Sequence, residues 1–438
     1  MPEIKIETPE VDGQTLRTAV QPSRDVARFF GEPLEVTYDV SIEEVPEPIL
    51  VVPALAQVCP VAWATGADVT VDTVDAAFVE ALNEIKPTMF EMYDFFQGGK
   101  VRARDVVDTE RIDEAGKPSQ SGLLFTGGVD STSSYLRHRE EQPTVISVRG
   151  WTVNPGPEDD QKWRHMVERT NRFADEVGTD AAFVEGNMLS FLDHPMLLAH
   201  FKRFVDGAWY SSVGHGLGLL GLCAPLAFAR GFDDLYIAAT HWEGIDLEWG
   251  SRPDIDDHVR WSGTRCHHTN YDLTRQQRLD RIADFVEEEG IELELHTCND
   301  FEDRNCGICE KCYRTAVGLR LSGLDPGDHG YDFSQSDYAE IVTAFENGRW
   351  VLGKDEQYMW ENIRERSREV EAESVAEADF FEWLDEADLS ALVDDSAPPL
   401  YQRLIRAGAR NTPNPVYRAV YPVWSGAKSG YRRLVSKQ

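Results

Sequence analysis

The chain has 438 residues, 42% of them hydrophobic, and a net charge of −34 from 77 acidic against 43 basic side chains. That length holds two or three domains and a sizeable core, and the apolar share excludes a wholly disordered acidic chain. The acidity argues against broad nucleic-acid binding by the main body and fits a carboxylate-rich surface suited to a salt-rich cytoplasm, as in a halophilic archaeon.

Residues 1–119 read as an N-terminal α+β domain whose role the sequence does not reveal. Leu34–Val40 alternates like a strand, Ile49–Val52 is apolar and β-branched, and Asp68–Asp72 is a further short strand candidate. Val74–Phe96 has the pattern of a helix, with an interruption expected at Pro87. A polar linker, Glu114–Ser119, precedes a change of rhythm.

Residues 120–325 alternate between strand and helix signals. The strands are expected at Gly122–Phe125, Thr144–Val148, Ala181–Val184, Leu235–Ala239 and Glu292–Thr297. Helices are expected at Ser131–Arg139, Asp160–Val177, Val213–Arg230 and Thr274–Glu289. This alternation predicts an α/β fold with a doubly wound, parallel five-stranded sheet. Sites in such sheets form at the carboxyl ends of strands, where Thr126, Arg149, Glu185 and His241 fall.

Residues 326–395 form an acidic helical region with a packing or lid role. Residues 396–438 form a basic aromatic tail. No acidic residue follows Asp395, yet eight Arg or Lys do, interleaved with Tyr401, Tyr417, Tyr421, Trp424 and Tyr431. Docking on the protein's own acidic body is the plain reading of this tail, and RNA contact is the second. The polar N-terminus lacks a secretory signal, and Val213–Ala229 is short and glycine-broken for a membrane span. Seven cysteines suit a reducing compartment, so a cytoplasmic location is expected. The oligomeric state, a homodimer included, is not written in the sequence.

Two motifs carry chemistry. The first is Thr126-Gly127-Gly128-Val129-Asp130-Ser131-Thr132, between an apolar run and a helix. Glycines allow main-chain N–H groups to converge, Ser131 and Thr132 add hydroxyls, and the helix presents its positive end. The loop is shaped for a phosphate chain, but no lysine follows the glycines as in a Walker A loop. The second motif is Cys298 with Cys306-Gly307-Ile308-Cys309-Glu310-Lys311-Cys312. Four thiolates at this density suit a closed, structural Zn²⁺ site, with an iron–sulfur cluster as the competitor. Lys311 or Arg314 would offset the charge of the tetrathiolate.

The loop resembles the Ser-Gly-Gly-x-Asp-Ser loop of the PP-loop ATP pyrophosphatases, with Thr126 in place of the first serine. The cysteine spacing, ending in Cys306-Gly307-Ile308-Cys309-Glu310-Lys311-Cys312-Tyr313-Arg314, is similar to that of one branch, the cyano-deazaguanine synthases (the QueC group). The resemblance covers roughly residues 120–325. It implies the nucleotide-binding sheet of that superfamily, ATP, Mg²⁺ and Zn²⁺ as cofactors, and adenylation of a carboxylate or carbonyl oxygen before attack by a nitrogen nucleophile. Thr126 to Thr132 would hold ATP, and Asp130 and Ser131 would take the catalytic roles, Asp130 by holding Mg²⁺ or by bracing the loop. The substrate-facing string of that branch is replaced here by Trp249-Gly250-Ser251-Arg252-Pro253-Asp254, so the acceptor differs and a sister branch is implied. His241, Ser251, Arg252 and Asp254 are the acceptor-side candidates.

Three rival functions are a tRNA-modifying enzyme using the basic tail, a small-molecule or glycan-precursor amidating enzyme, and a non-catalytic nucleotide sensor. Gly216-x-Gly218-x-x-Gly221 spells a dinucleotide fingerprint, but no strand precedes it, so close helix packing is expected. His215 in that run reads as a core histidine. Cys266-His267-His268 is a weak metal candidate, because three consecutive residues converge poorly on one ion. Cys59 and Cys223 read as core thiols.

Overall fold

In the computed structural model the described residues are 2–109, 120–201, 204–205, 207–245, 247–298 and 304–393, with a few positions between 404 and 420. The linker Glu114–Ser119 and nearly all of the basic tail lie outside them.

Among the described residues there are thirteen strands: β1 (Glu3–Ile6), β2 (Glu10–Asp12), β3 (Thr15–Thr18), β4 (Val20–Pro22), β5 (Leu34–Tyr38), β6 (Asp68–Asp75), β7 (Val101–Val107), β8 (Gln120–Leu124), β9 (Thr144–Arg149), β10 (Ala181–Gly186), β11 (Phe232–Ala238), β12 (Arg260–Trp261) and β13 (Thr264–Thr269). They form a four-stranded sheet, β4-β1-β6-β7, and a nine-stranded sheet, β12-β13-β11-β8-β9-β10-β5-β3-β2. The large sheet is mixed. Its neighbours β13, β11, β8, β9 and β10 pair in parallel, whereas β12 and the β5-β3-β2 edge are antiparallel.

Four expectations are corrected here. The sheet has nine strands rather than five. Glu292–Thr297 is irregular, and the parallel strand beside β11 is Thr264–Thr269. That strand was hidden because its residues, Thr-Arg-Cys-His-His-Thr, are mostly polar, and only Cys266 reaches the apolar core. Ile49–Val52 is helical, lying within Glu47–Leu50 and the start of Val52–Thr65. Burial of that segment on every side overrides its β propensity. Nor do the first 109 residues stand apart from the sheet, because β5 pairs with β10 through Thr37 and Glu185 and carries β3 and β2 with it.

The helix Ala76–Met92 continues through Pro87. The proline removes one hydrogen bond, but the buried face of Phe78, Ala81, Leu82, Ile85 and Met89 holds the segment. Helices cover both faces of the large sheet. One core joins Leu124, Ile146, Val184, Leu235 and Ile237 to the helices Val52–Thr65 and His215–Leu222. The other joins Leu123, Val145 and Tyr236 to Val129–Arg137, Asp160–Val177 and Arg275–Glu289. The acidic C-terminal region packs its own aromatic core around Tyr338, Phe345, Trp360 and Phe380. The stretch Tyr210–Arg230 is long and apolar enough to cross a membrane, but 78% of its most apolar window is buried inside the protein.

The glycines of the helix His215–Leu222 serve close packing. A Cβ at Gly221 would lie 2.4 Å from Ala56 Cβ on the helix Val52–Thr65. Gly221→Ala is therefore expected to overpack this contact and destabilise the protein by about 1–3 kcal/mol, read from a denaturant midpoint at high salt.

Candidate functional site

β8 feeds the loop at residues 126–128 and then the helix Val129–Arg137. Phe125 extends the ladder through its N–H to Ile146 O (2.8 Å), and Ser147 Oγ donates to Phe125 O (2.9 Å). Gly127 then takes φ +76°, a conformation that glycine adopts without strain. Gly128 is the N-cap, so Val129, Asp130 and Ser131 occupy the first helical turn. Their N–H groups have no acceptor within the helix. Ser131 Oγ accepts from Thr126 N (3.3 Å) and donates to Gly128 O (3.3 Å), which fixes the curl of the loop. Thr132 is buried, and its hydroxyl has no partner among the described residues.

Asp130 is held from both sides. Its Oδ2 accepts from Arg275 (2.6 Å) and its Oδ1 from Arg278 (2.6 Å). Burial pushes this carboxyl up, but the two guanidinium groups outweigh burial and hold it below the usual carboxylate range. With each oxygen bound to an arginine, Asp130 braces the loop, one of the two roles expected of it. Arg278 is completely buried. It also donates to Ala239 O (2.6 Å), His241 O (2.7 Å) and Asn270 O (3.1 Å), which ties the segments after β11 and β13 to the loop. Asn270, at φ +66°, donates through Nδ2 to Ser133 (3.2 Å) and Ser134 (3.1 Å).

Arg275 and Arg278 stand at helical spacing at the start of one helix, which puts both guanidinium groups on the side that faces Asp130. Asn270 was missed. Its only signal was an asparagine, a residue tolerant of left-handed backbone, directly after a polar strand.

The other candidates separate into two groups. Arg149 and Glu185 do meet (3.0 Å), but Arg149 is also bound to Asp160 (2.6 Å) and to main-chain oxygens, so it braces strand ends. Arg252 and Asp254 pair with each other through two contacts (3.0 and 3.1 Å) in a half-exposed turn. His241 and Ser251 are buried, and Ser251 Oγ donates to Asp256 Oδ2 (2.6 Å). That carboxylate also holds His268 Nδ1 (2.8 Å). His267 instead reaches Asp234 (2.7 Å), so the two neighbouring histidines diverge.

The sulfur atoms of Cys298, Cys306, Cys309 and Cys312 all lie within 4.8 Å of one another, and Cys306 and Cys312 are 3.7 Å apart. Four thiolates 2.3 Å from a tetrahedral Zn²⁺ would be separated by about 3.8 Å. The set could hold a metal ion such as zinc. Hydrogen bonds from neighbouring thiols, led by Cys312, draw Cys309 down, while the bond to Cys309 pushes Cys312 up and burial pushes Cys306 up. Arg314 is committed to Glu310 (2.6 Å), and Lys311 lies within electrostatic reach of Asp130. Cys59 and Cys223 are buried thiols pushed up to about 12 by burial, as core positions require.

The cysteine cluster is mechanically linked to the loop. Asn305 Oδ1 accepts from Thr297 N (3.0 Å) and Cys298 N (3.2 Å), while its Nδ2 donates to Leu295 O (2.8 Å) and Gly330 O (2.9 Å). The segment thus fixed places His296 N on Gly127 O (2.8 Å). Sequence reading passed over Asn305, because an asparagine beside a cysteine reads as an ordinary turn.

No protein-family model matches the chain, and no curated protein matches it either.

Replacing Asn305 with Ala leaves four main-chain groups without their partner. It is expected to destabilise the protein by about 1–3 kcal/mol and to speed amide exchange at Gly127 and His296. Exchange mass spectrometry across residues 120–135 and 290–298 measures this, and unchanged exchange contradicts the link. Cys309→Ser is expected to lower bound zinc and the melting temperature together, as read by metal analysis and calorimetry.

A pH effect also follows. Burial lowers the His215 imidazole to about 4, aided by His268 and His241. The folded state then binds fewer protons than the unfolded chain between pH 6.5 and about 4, so stability falls as the pH drops through that window. His215→Gln is expected to flatten this part of the stability–pH curve.

Proposed function

We propose that this protein is an ATP-dependent adenylating enzyme of the PP-loop pyrophosphatase type, releasing AMP and pyrophosphate. The observation that carries this reading is the preformed loop, with the first-turn N–H groups of Val129, Asp130 and Ser131 at a helix start and Asp130 anchored on two buried arginines. Such a loop favours an oligo-anion, because helix-terminal amides and nearby cations offset its charge without reorganising. The parallel strands around β8, with helices on both faces, support the superfamily's nucleotide-binding sheet.

In this reading ATP lies over the carboxyl ends of β8 and β11. Thr126 to Thr132 hold the pyrophosphate portion, with the Ser131 and Thr132 hydroxyls as added donors. Mg²⁺, held with the nucleotide beside Asp130, would supply further charge compensation when bound. An acceptor carboxylate or carbonyl oxygen attacks the α-phosphorus, the bond to the bridging oxygen of pyrophosphate breaks, and the adenylate is displaced by a nitrogen nucleophile. A carboxylate attacks without a general base, so Asp130 has no proton to remove and its bracing role suffices. Arg275 and Arg278 keep Asp130 ionised and the loop in place. Zinc in the cysteine cluster clips the segment that lies on Gly127, a structural part rather than a chemical one.

The sister-branch reading rests on the cysteine site together with the departure at residues 249–254. Use of the basic tail on tRNA is a second reading that rests on the sequence of residues 396–438 alone.

The test is pyrophosphate–ATP exchange at high salt with a panel of carboxylate acceptors, with AMP and ADP separated. Exchange and AMP formation are expected. Ser131→Ala should lower both by about ten- to a hundred-fold, with a stability loss of about 1 kcal/mol from the two loop contacts it removes. ADP as the product, or exchange untouched by Ser131→Ala, overturns the assignment.

A further inference from the structure

A chain of phosphates carries several negative charges, and main-chain amides offset only part of them. In a Walker A loop a lysine after the glycines reaches the outer phosphates. No lysine stands at residues 127–132, and both arginines beside the loop are bound to Asp130. The loop itself is open to solvent, since Thr126 is exposed and Gly128 and Asp130 are half-buried. A cation for an anion seated there has to come from another element.

Lys311 is such a cation. It lies in the first turn of the helix Glu310–Leu321 and is half-buried. Its charged neighbours are Arg275, Arg314, Asp130 and Glu310. Arg275 is bound to Asp130 (2.6 Å) and Arg314 to Glu310 (2.6 Å). The Lys311 ammonium has no ion pair or hydrogen bond among the described residues. A half-buried ammonium beside two guanidinium groups, with the nearby carboxylates already shared, is left uncompensated. An anion on the loop would supply the missing charge.

The packing of the helix turns Lys311 toward the loop. Residues four apart lie on one helix face. Thr315 Oγ1 donates to Lys311 O (2.8 Å) and meets Thr297 Oγ1 (3.5 Å). Thr297 follows His296, whose N–H lies on Gly127 O (2.8 Å). Gln276, beside Arg275, donates to Gly318 O (2.9 Å) and so holds the two helices together. Glu310 and Arg314 occupy a different face, where Glu310 accepts from Trp360 Nε1 (2.7 Å) of the C-terminal region. We infer that Lys311 is a phosphate-binding residue, its ammonium meeting the pyrophosphate portion of a chain seated on the Val129–Ser131 amides. The inference rests on the adenylation reading only in taking ATP as the source of that chain. The segment between Cys309 and Cys312 then brings a charge to the loop as well as a clip.

Titration calorimetry of the full chain with inorganic pyrophosphate at high salt tests this. The wild-type protein is expected to bind it, and Lys311→Gln to bind it about ten-fold more weakly or worse. Lys311→Arg, which keeps the charge, should recover most of the affinity. Bound zinc and melting temperature should match the wild type in both variants. A second measurement needs no variant: saturating pyrophosphate should slow acylation of Lys311 by an amine-reactive ester, read by peptide mass spectrometry. Absence of pyrophosphate binding, affinity unchanged in Lys311→Gln, affinity lost equally in both variants, or acylation of Lys311 untouched by pyrophosphate overturns the inference. AMP formation separates it from the adenylation reading. Pyrophosphate binding in the expected pattern with no AMP from any acceptor keeps the Lys311 assignment and sinks adenylation. AMP formed as fast by Lys311→Gln as by the wild type does the reverse.

Discussion

The architecture of the candidate site depends on one buried cation. Arg278 has a fully buried side chain, and desolvating a guanidinium is costly unless its donors find acceptors; here both terminal nitrogens do, while Nε has no partner among the described residues. Its partners are the Asp130 carboxylate and the carbonyl oxygens of residues 239, 241 and 270. Those atoms belong to segments that follow three different strands of the large sheet. The planar fork of an arginine can reach several acceptors at once, which a lysine cannot. The clamp therefore converts three strand ends into one crevice and leaves the first-turn amides at Val129–Ser131 available.

The rest of the molecule serves that crevice from its two sides. On one side, Asn305 and the cysteine cluster hold the irregular segment whose His296 amide lies on Gly127. On the other, the acidic C-terminal helices reach the segment after β11, where Met359 packs with Trp242 and Ile245. The region read as a packing or lid element thus lies against the segment that follows β11. High surface acidity is separate from this chemistry, because the carboxylates at the site are committed to named partners.

Legibility of the sequence followed burial and polarity. Asp160–Val177 was placed correctly because its apolar face repeats at helical spacing and Gly178 ends it in the left-handed conformation. The glycine loop was legible because its residue types are set by main-chain geometry. β13 was not, because a strand inside a sheet need not be apolar when its side chains find local partners such as Asp234 and Asp256. The β5 edge was read as a strand but assigned to a separate domain, since strand pairing is non-local and leaves no mark in a single segment. His268 and Asn270 were obscured for the same reason, as their roles exist only after distant segments meet.

The most direct test of the clamp is a double-mutant cycle on Asp130→Asn and Arg278→Lys, with unfolding free energy and ATP binding both measured at high salt. The account predicts strong coupling, about 2 kcal/mol or more, with ATP binding lost in each single variant. Additive stability effects, with ATP binding retained in either variant, would contradict it.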